Sequence, residues 1–125
     1  MVLFLAGLIG ILGIFLEDWR VLERDVERYL VGKVEALGGL CLKFTSSIAG
    51  VPDRVVIVYG VTYFVELKAT GKKPRPLQDR IIAKMQKAGA AVYIISAKAG
   101  VDTFLTECYN SSLNRGMTDD KKSRR

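Results

Sequence analysis

The chain has 125 residues, of which 50% are hydrophobic and 26% are charged, and its formal net charge is +6. This composition suits one folded domain with one core, and the positive charge favours a polyanionic partner such as nucleic acid or an anionic membrane surface. The chain contains no histidine, which excludes His-metal nucleases and hydrolases that rely on a Ser-His or Cys-His pair.

The first sixteen residues, MVLFLAGLIGILGIFL, are uncharged and apolar throughout. They lack the basic start and the cleavage site of a signal peptide, and they fall short of the roughly 20 residues that a full membrane span requires. Three interpretations stay open. Residues 1–16 are a short membrane anchor, a helix buried against the domain or a second subunit, or an apolar extension outside the functional unit.

The next segments predict a helix and three strands. Apolar residues recur at steps of three and four over residues 17–37, which predicts an amphipathic helix that ends at a Gly-Gly pair. LCLKF predicts a first strand, and a polar loop follows it. RVVIVY and TYFVELK predict two further strands, joined as an antiparallel hairpin by a two-residue type II′ turn at Gly60-Val61.

The second half of the chain predicts a crossover unit. A basic loop, ATGKKPR, leads into a helix that begins near Pro76 and ends at Gly89. AVYIIS predicts a fourth strand, VDTFLTECY a short last helix, and residues 114–125 a basic flexible tail. Because a helix joins the third and fourth strands, these two should be parallel. The predicted fold is α/β, a small mixed sheet flanked by helices in the order α-β-β-β-α-β-α, with residues 17–113 as the domain.

Three charged side chains, Asp53, Glu66 and Lys68, lie in this otherwise apolar hairpin. Side chains two positions apart on a strand share a face, so Glu66 and Lys68 point the same way. With the predicted turn, Asp53 pairs with Lys68 across the ladder and lies on that face too. A three-residue turn would move Asp53 to the opposite face. The cluster is therefore either an exposed strand end or a functional site.

As a site, this cluster predicts metal-dependent chemistry on phosphates. Two carboxylates held close together repel each other, and a hard divalent cation such as Mg²⁺ is the usual remedy. Such a cation lowers the pKa of its water and offsets charge on a phosphate. Lys68 could orient that water and add positive charge. Lys72, Lys73 and Arg75 of the basic loop could hold the flanking backbone phosphates.

The stretch GVPDRVVIVYGVTYFVELKATGKKPRPLQ closely resembles the virus-type replication-repair nuclease (VRR-NUC) domain. That domain belongs to the PD-(D/E)xK nuclease superfamily and is a near relative of the Holliday-junction resolvases. The match covers about residues 23–96 and includes a glutamate on the leading helix, GG at its end, and then KF, GVPD, ELK and PLQ in this order. The resemblance implies a restriction-endonuclease-like fold.

The resemblance also implies a role for each matched residue. Asp53 and Glu66 would be metal ligands, together with the main-chain carbonyl of Leu67. Lys68 would be the catalytic lysine. Gln78, in the segment PLQ, would contact the site or the metal-bound water.

Two residues compete for the glutamate on the leading helix, which the resemblance makes a further catalytic residue and metal ligand. Glu23 fits the family pattern E-x-x-V-E, whereas Glu27 fits the shorter spacing of the junction resolvases. We favour Glu23 and expect the other glutamate to be a surface charge next to Arg20 or Lys33.

The function that the resemblance implies is a Mg²⁺-dependent endodeoxyribonuclease, with Mn²⁺ as a possible substitute. Its expected substrate is branched or structured DNA such as four-way junctions, and its expected assembly is a homodimer that places two sites across a junction. The expected location is the cytoplasm of a phage-infected or bacterial cell, with membrane contact through residues 1–16 as the alternative. A non-catalytic DNA-binding protein with the same fold is the alternative function.

Overall fold

The computed structural model describes residues 23–68 and 75–123, with side chains described up to residue 116. The apolar residues 1–16 and the predicted phosphate-binding residues Lys72 and Lys73 lie outside these ranges. Within them, no helix combines the length and the apolar character needed to cross a membrane.

Three helices and a four-stranded mixed sheet make up the described part of the chain. In chain order the elements are α1 (residues 23–36), β1 (Leu40–Lys43), β2 (Arg54–Val58), β3 (Val61–Leu67), α2 (Pro76–Lys87), β4 (Val92–Ile95) and α3 (Lys98–Ser123). The strands are adjacent in the order β1-β2-β3-β4, with β1, β2 and β3 antiparallel and β3 parallel to β4. The predicted fold class and element order are confirmed.

One face of the sheet packs against α1 and α3 and forms the main core. The predicted stripe of α1 contributes Leu30 and Val34, which are fully buried, and α3 contributes Phe104, which is 2% exposed. Val65 of β3 enters the same core. Because side chains alternate along a strand, Glu66 points away from this core to the opposite face of the sheet, where α2 begins.

The turn between β2 and β3 differs by one position from the predicted turn. Val58 pairs with Val61, so the turn residues are Tyr59 and Gly60, with φ of 52° and 75°. Positive φ at both positions identifies a type I′ turn rather than type II′. A tyrosine in this backbone region costs about 1–2 kcal/mol. The Tyr59 ring packs against Tyr109, with ring centroids 5.7 Å apart, and this contact helps to offset that cost.

This turn changes the register of the hairpin but not the face on which the acids lie. The predicted pairing of Asp53 with Lys68 is wrong. Val55 pairs with Phe64, and continuing that register places Asp53 opposite Glu66. Both the predicted and the observed turn contain two residues, so every side chain keeps its predicted face. Asp53 and Glu66 therefore share a face of the sheet, as the sequence predicts.

The last helix is longer than the sequence predicts. The prediction was a short helix over VDTFLTECY and a tail from residue 114, whereas α3 runs from Lys98 to Ser123. Its N-terminal half buries Val101 and Phe104 against the sheet, but nearly every side chain over residues 109–116 is exposed. The apolar pattern in the sequence ends where the helix leaves the core. That pattern therefore predicts only the packed half of the helix.

Candidate active site

A cavity of about 400 Å³ opens at the end of the sheet where β2 begins and β3 ends. Its walls come from α1, the loop before β2, the end of β3 and the first turn of α2. They include the predicted catalytic and metal-binding residues Glu23, Asp53, Glu66, Leu67, Lys68 and Gln78. Arg75, a predicted phosphate-binding residue, lines the same cavity. The fold therefore brings together most of the residues that the sequence assigns to one site.

Asp53 is the residue just before β2, and it lines the cavity. The buried Pro52 precedes it and restricts the backbone. The carbonyl of Asp53 accepts a hydrogen bond from the N–H of Phe44 at 2.8 Å, and its side-chain Oδ2 accepts one from the N–H of Leu67 at 3.1 Å. These bonds connect Asp53 to the residue after β1 and to β3, the two strands that flank β2 in the sheet. They hold an exposed carboxylate on the face where Glu66 lies.

Glu66 is buried, with only 4% of its surface exposed, and within the described residues its Oε2 has no hydrogen-bond partner. Burial and, after it, the nearby charge of Asp53 raise the pKa of Glu66 to about 7. Hydrogen bonding by Gln78 and the charge of Lys68 act in the opposite direction. The carboxyl groups of Asp53 and Glu66 can hydrogen-bond to each other only if one of the two keeps its proton. The pair therefore needs a proton or a cation for its stability.

Lys68 and Gln78 approach the acidic pair from different elements. The main-chain N–H of Lys68 donates to the carbonyl of Ile95 at 2.9 Å, which keeps this residue in line with the sheet after β3 ends. Its half-buried side chain then shares the face of Glu66. Gln78 lies in the first turn of α2, where Pro76 starts the helix. An amine and an amide therefore flank the buried carboxylate.

The loop before β2 determines how closely α2 approaches the site. Gly50 has a φ of +89°, and a Cβ at this position would lie 3.1 Å from the Cα of Gln78. A side chain here would push the loop and the helix apart. The segment GVPD, in which Gly50 precedes Val51, is part of the sequence resemblance, but no role follows for the glycine from the sequence alone. The structure shows that it allows the contact that sets Gln78 beside the acids.

The donor atoms of the site fit a hard divalent cation. Carboxylate oxygens of Asp53 and Glu66, with a main-chain carbonyl and a side-chain amide beside them, are the oxygen ligands that Mg²⁺ prefers. The unpartnered Oε2 of Glu66 is an atom that a cation would satisfy. In the described ranges no three His, Cys, Asp or Glu side chains gather closely enough to hold a metal, so Glu23 lines the cavity without joining the two acids.

The two candidate glutamates of α1 have different surroundings. Glu23 lines the cavity, whereas Glu27 accepts hydrogen bonds from Nε and Nη2 of Arg54. Glu27 of α1 therefore forms an ion pair with Arg54 of β2. We had expected it to be a surface charge next to Arg20 or Lys33. This ion pair was not predicted from the sequence. Its signal was Arg54 itself, a cation on the core-facing side of an apolar strand, which requires a partner.

This ion pair is expected to contribute measurably to stability. Arg54 and Glu27 keep only 18% and 38% of their side-chain surface exposed, so Arg54→Met leaves a partly buried carboxylate without its partner. We expect the free energy of unfolding to fall by about 1–3 kcal/mol in urea denaturation. The matched control is Lys98→Met, which breaks the more exposed pair with Asp25 and should cost at most about 1 kcal/mol. Equal losses in the two variants would contradict this assignment.

The chain is similar in sequence and in structure to known proteins. No family model matches the chain. The sequence is 40% identical over 78 residues to "Putative nuclease p44" of Acyrthosiphon pisum secondary endosymbiont phage 1, covering 61% of this chain and 84% of that protein. The structure is similar to a solved VRR_NUC domain, with a TM-score of 0.63 and 37% identity, covering 67% of this chain and 94% of the other. The chain therefore belongs to the VRR-NUC family of nucleases.

Proposed function

We propose that this protein is a Mg²⁺-dependent DNA endonuclease that hydrolyses phosphodiester bonds in branched DNA such as four-way junctions. The observation that carries the proposal is the pair formed by the exposed Asp53 and the buried Glu66, whose Oε2 lacks a partner among the described residues. The amine of Lys68 shares their cavity. One exposed carboxylate, one buried carboxylate and an amine at the same strand end are the groups that metal-assisted hydrolysis of a phosphodiester requires.

Each residue then has a defined task. Asp53 and Glu66, with the carbonyl of Leu67, would hold the cation, which supplies Lewis acidity and a water of lowered pKa when it is bound. The ammonium of Lys68 orients the attacking water and offsets the negative charge that develops on the phosphate. The amide of Gln78 keeps the Glu66 carboxylate in place. In-line attack by water then forms a new P–O bond and breaks the P–O3′ bond. The water loses a proton to solvent, the departing O3′ takes one up, and the products are a 5′-phosphate and a 3′-hydroxyl.

The surroundings of the cavity support an anionic substrate. Arg75 is exposed at the cavity edge and immediately precedes α2. The first turn of α2 has no side-chain cap, and the positive end of its helix dipole favours an anion at this position. The net charge of +6 acts in the same direction at longer range.

Branched DNA and a homodimer enter the proposal through the family resemblance. The four strands of a four-way junction form pairs related by two-fold symmetry, and a two-fold symmetric pair of sites matches that symmetry. The homodimer is therefore the simplest assembly that would cut two symmetry-related strands at one branch. We expect a dimer mass in analytical ultracentrifugation at the protein concentrations used for cleavage.

A cleavage panel tests the proposal. The full chain would be incubated with end-labelled duplex, nicked, flap and four-way substrates in Mg²⁺, Mn²⁺ or EDTA. We expect cleavage in either cation, none in EDTA, and at least about tenfold faster cutting of a branched substrate than of duplex, which corresponds to about 1.4 kcal/mol. Salt-sensitive binding without cleavage would instead indicate a non-catalytic DNA-binding protein. A preference for linear duplex would contradict the branched substrate.

A further inference from the structure

We propose that Lys43 and Phe44, at the end of β1, form a second substrate-binding subsite that holds an unpaired nucleotide next to the scissile phosphate. This subsite lies on the other side of Asp53 from Arg75. The inference rests on the proposed nuclease function and extends it by naming the substrate contacts on the α1 side of the site.

The first observation is a second cavity, of about 210 Å³, at the same end of the sheet. Glu23, Asp53 and Leu67 line both this cavity and the larger one. Because the cavities share these residues, they meet at the proposed catalytic acids and together cross the end of the sheet. Lys43 and Phe44 line only the second cavity. A DNA strand with its reacting phosphate at Asp53 would therefore extend into both.

The second observation is the availability of the Lys43 charge. Lys43 lies directly opposite Arg54 across β1 and β2, but the guanidinium of Arg54 already binds Glu27. The side chain of Lys43 is exposed and forms no ion pair or hydrogen bond with the residues that the structure describes. Glu23, Glu27 and Asp53 also line this cavity, as does Arg54. Because Arg54 is paired with Glu27, the Lys43 ammonium is the cation that would make the cavity acceptable to a phosphate.

The third observation is the aromatic side chain of the residue that follows this lysine. Lys43 shares the face of Arg54, whereas Phe44 lies on the opposite face of the sheet with Phe64, and both line the second cavity because it lies at the end of the sheet. Phe44 is half-buried, and its ring lies 5.3 Å from the ring of Phe64 at an interplanar angle of 56°. Its N–H donates to the carbonyl of Asp53, so its position is coupled to that of the catalytic segment. An ammonium for the phosphate and an aromatic face for the base are the usual means of binding single-stranded DNA. Branched DNA with a single-stranded arm, such as a flap, has unpaired nucleotides next to the branch point, which links this subsite to that kind of branched substrate.

A binding experiment with modified DNA tests the subsite in the full chain. Methylphosphonate groups, which are uncharged, would replace single phosphates around the cut, and affinity would be measured in EDTA. For the unaltered protein we expect about a 3–10-fold loss at one phosphate on the α1 side. The affinity of Lys43→Gln should not change when that phosphate is replaced, but it should still fall when the other contacted phosphates are replaced. The slope of log K against log[salt] should be smaller in magnitude by about 0.7–0.9.

Further variants separate the contribution of the base from that of the phosphate. Lys43→Arg should restore the phosphate sensitivity, whereas Lys87→Gln, at the far end of α2, should leave the methylphosphonate profile unchanged. Phe44→Leu should weaken binding of DNA with an unpaired nucleotide by about 5–100-fold and leave fully paired duplex nearly unaffected. A Lys43→Gln profile identical to that of the unaltered protein would overturn the subsite while leaving the nuclease function intact. An unaltered protein that neither binds nor cuts DNA would overturn both.

Discussion

Asp53→Asn is expected to slow DNA cleavage by about 10²–10³-fold or more while DNA binding in EDTA stays unchanged or becomes tighter. The substitution removes one of two carboxylates proposed to hold the cation, but asparagine has nearly the same shape. Its carbonyl oxygen can still accept the hydrogen bond from the N–H of Leu67, and the position is exposed, so the fold should be retained. Single-turnover cleavage and fluorescence anisotropy on the same four-way substrate provide the two measurements.

The matched control for this substitution is Asp79→Asn. Asp79 is also an exposed aspartate close to the site, in the first turn of α2, but it does not line the cavity. We expect its cleavage rate to stay within about twofold of that of the unaltered protein, a difference of about 0.4 kcal/mol. Undiminished cutting by Asp53→Asn, or an equal loss in both variants, would exclude the proposed role of Asp53.

Glu66→Gln is expected to make the protein more stable when no divalent cation is present. The wild-type carboxylate is buried with an unpartnered oxygen next to Asp53, and a neutral amide removes that repulsion. At pH 8 we expect a gain of about 2–3 kcal/mol, since each unit of pKa shift corresponds to about 1.4 kcal/mol. In EDTA this should raise the Tm by about 10 °C or more for a domain of this size. Addition of Mg²⁺ should stabilise the unaltered protein and leave Glu66→Gln unaffected.

The stability gain of Glu66→Gln should depend on pH because the pKa of Glu66 is raised in the folded protein. The pKa of Glu66 in the folded protein is about 7, above the ordinary value of 4.5, so the folded state binds the proton more tightly than the unfolded chain does. The stabilisation from the protonated carboxyl is complete below about pH 4.5 and is lost as the pH rises through 7. The advantage of Glu66→Gln should therefore be small at pH 4 and largest above pH 7. An equal change in Tm at both pH values, or the same gain from the exposed Glu107→Gln, would contradict it.

The sequence predicts the fold well because its periodic patterns coincide with burial. The stripe on α1 and the apolar strands form the core, and Pro76 starts α2 as expected. The turn was misplaced because a tyrosine rarely adopts positive φ, and Tyr59 does so with the help of its contact with Tyr109, which local sequence does not reveal. Asp53 and Glu66 were still predicted on the same face, because the face depends on the number of turn residues and not on their identity.

Other features of the site depend on how separate elements pack, and the sequence alone does not reveal them. Asp53 and Glu66 are both carboxylates at strand ends, yet one is exposed and the other is buried where the sheet meets α2. The different surroundings of Glu23 and Glu27 follow from the rotation of α1, which brings Glu23 to the larger cavity and Glu27 to Arg54. Each of these differences needs the relative position of two elements that are distant in the chain.

The shortness of the hairpin tip also limits how related proteins can differ in length. Adding one residue at Tyr59-Gly60 would turn the β2 arm of the hairpin over and direct Asp53 into the apolar layer that Val65 of the other arm occupies. Adding two residues would lengthen the turn and leave Asp53 and Glu66 on the same face of the sheet. Insertions at this tip should therefore survive in active relatives only as even numbers of residues, however much the amino acids between the two acids vary.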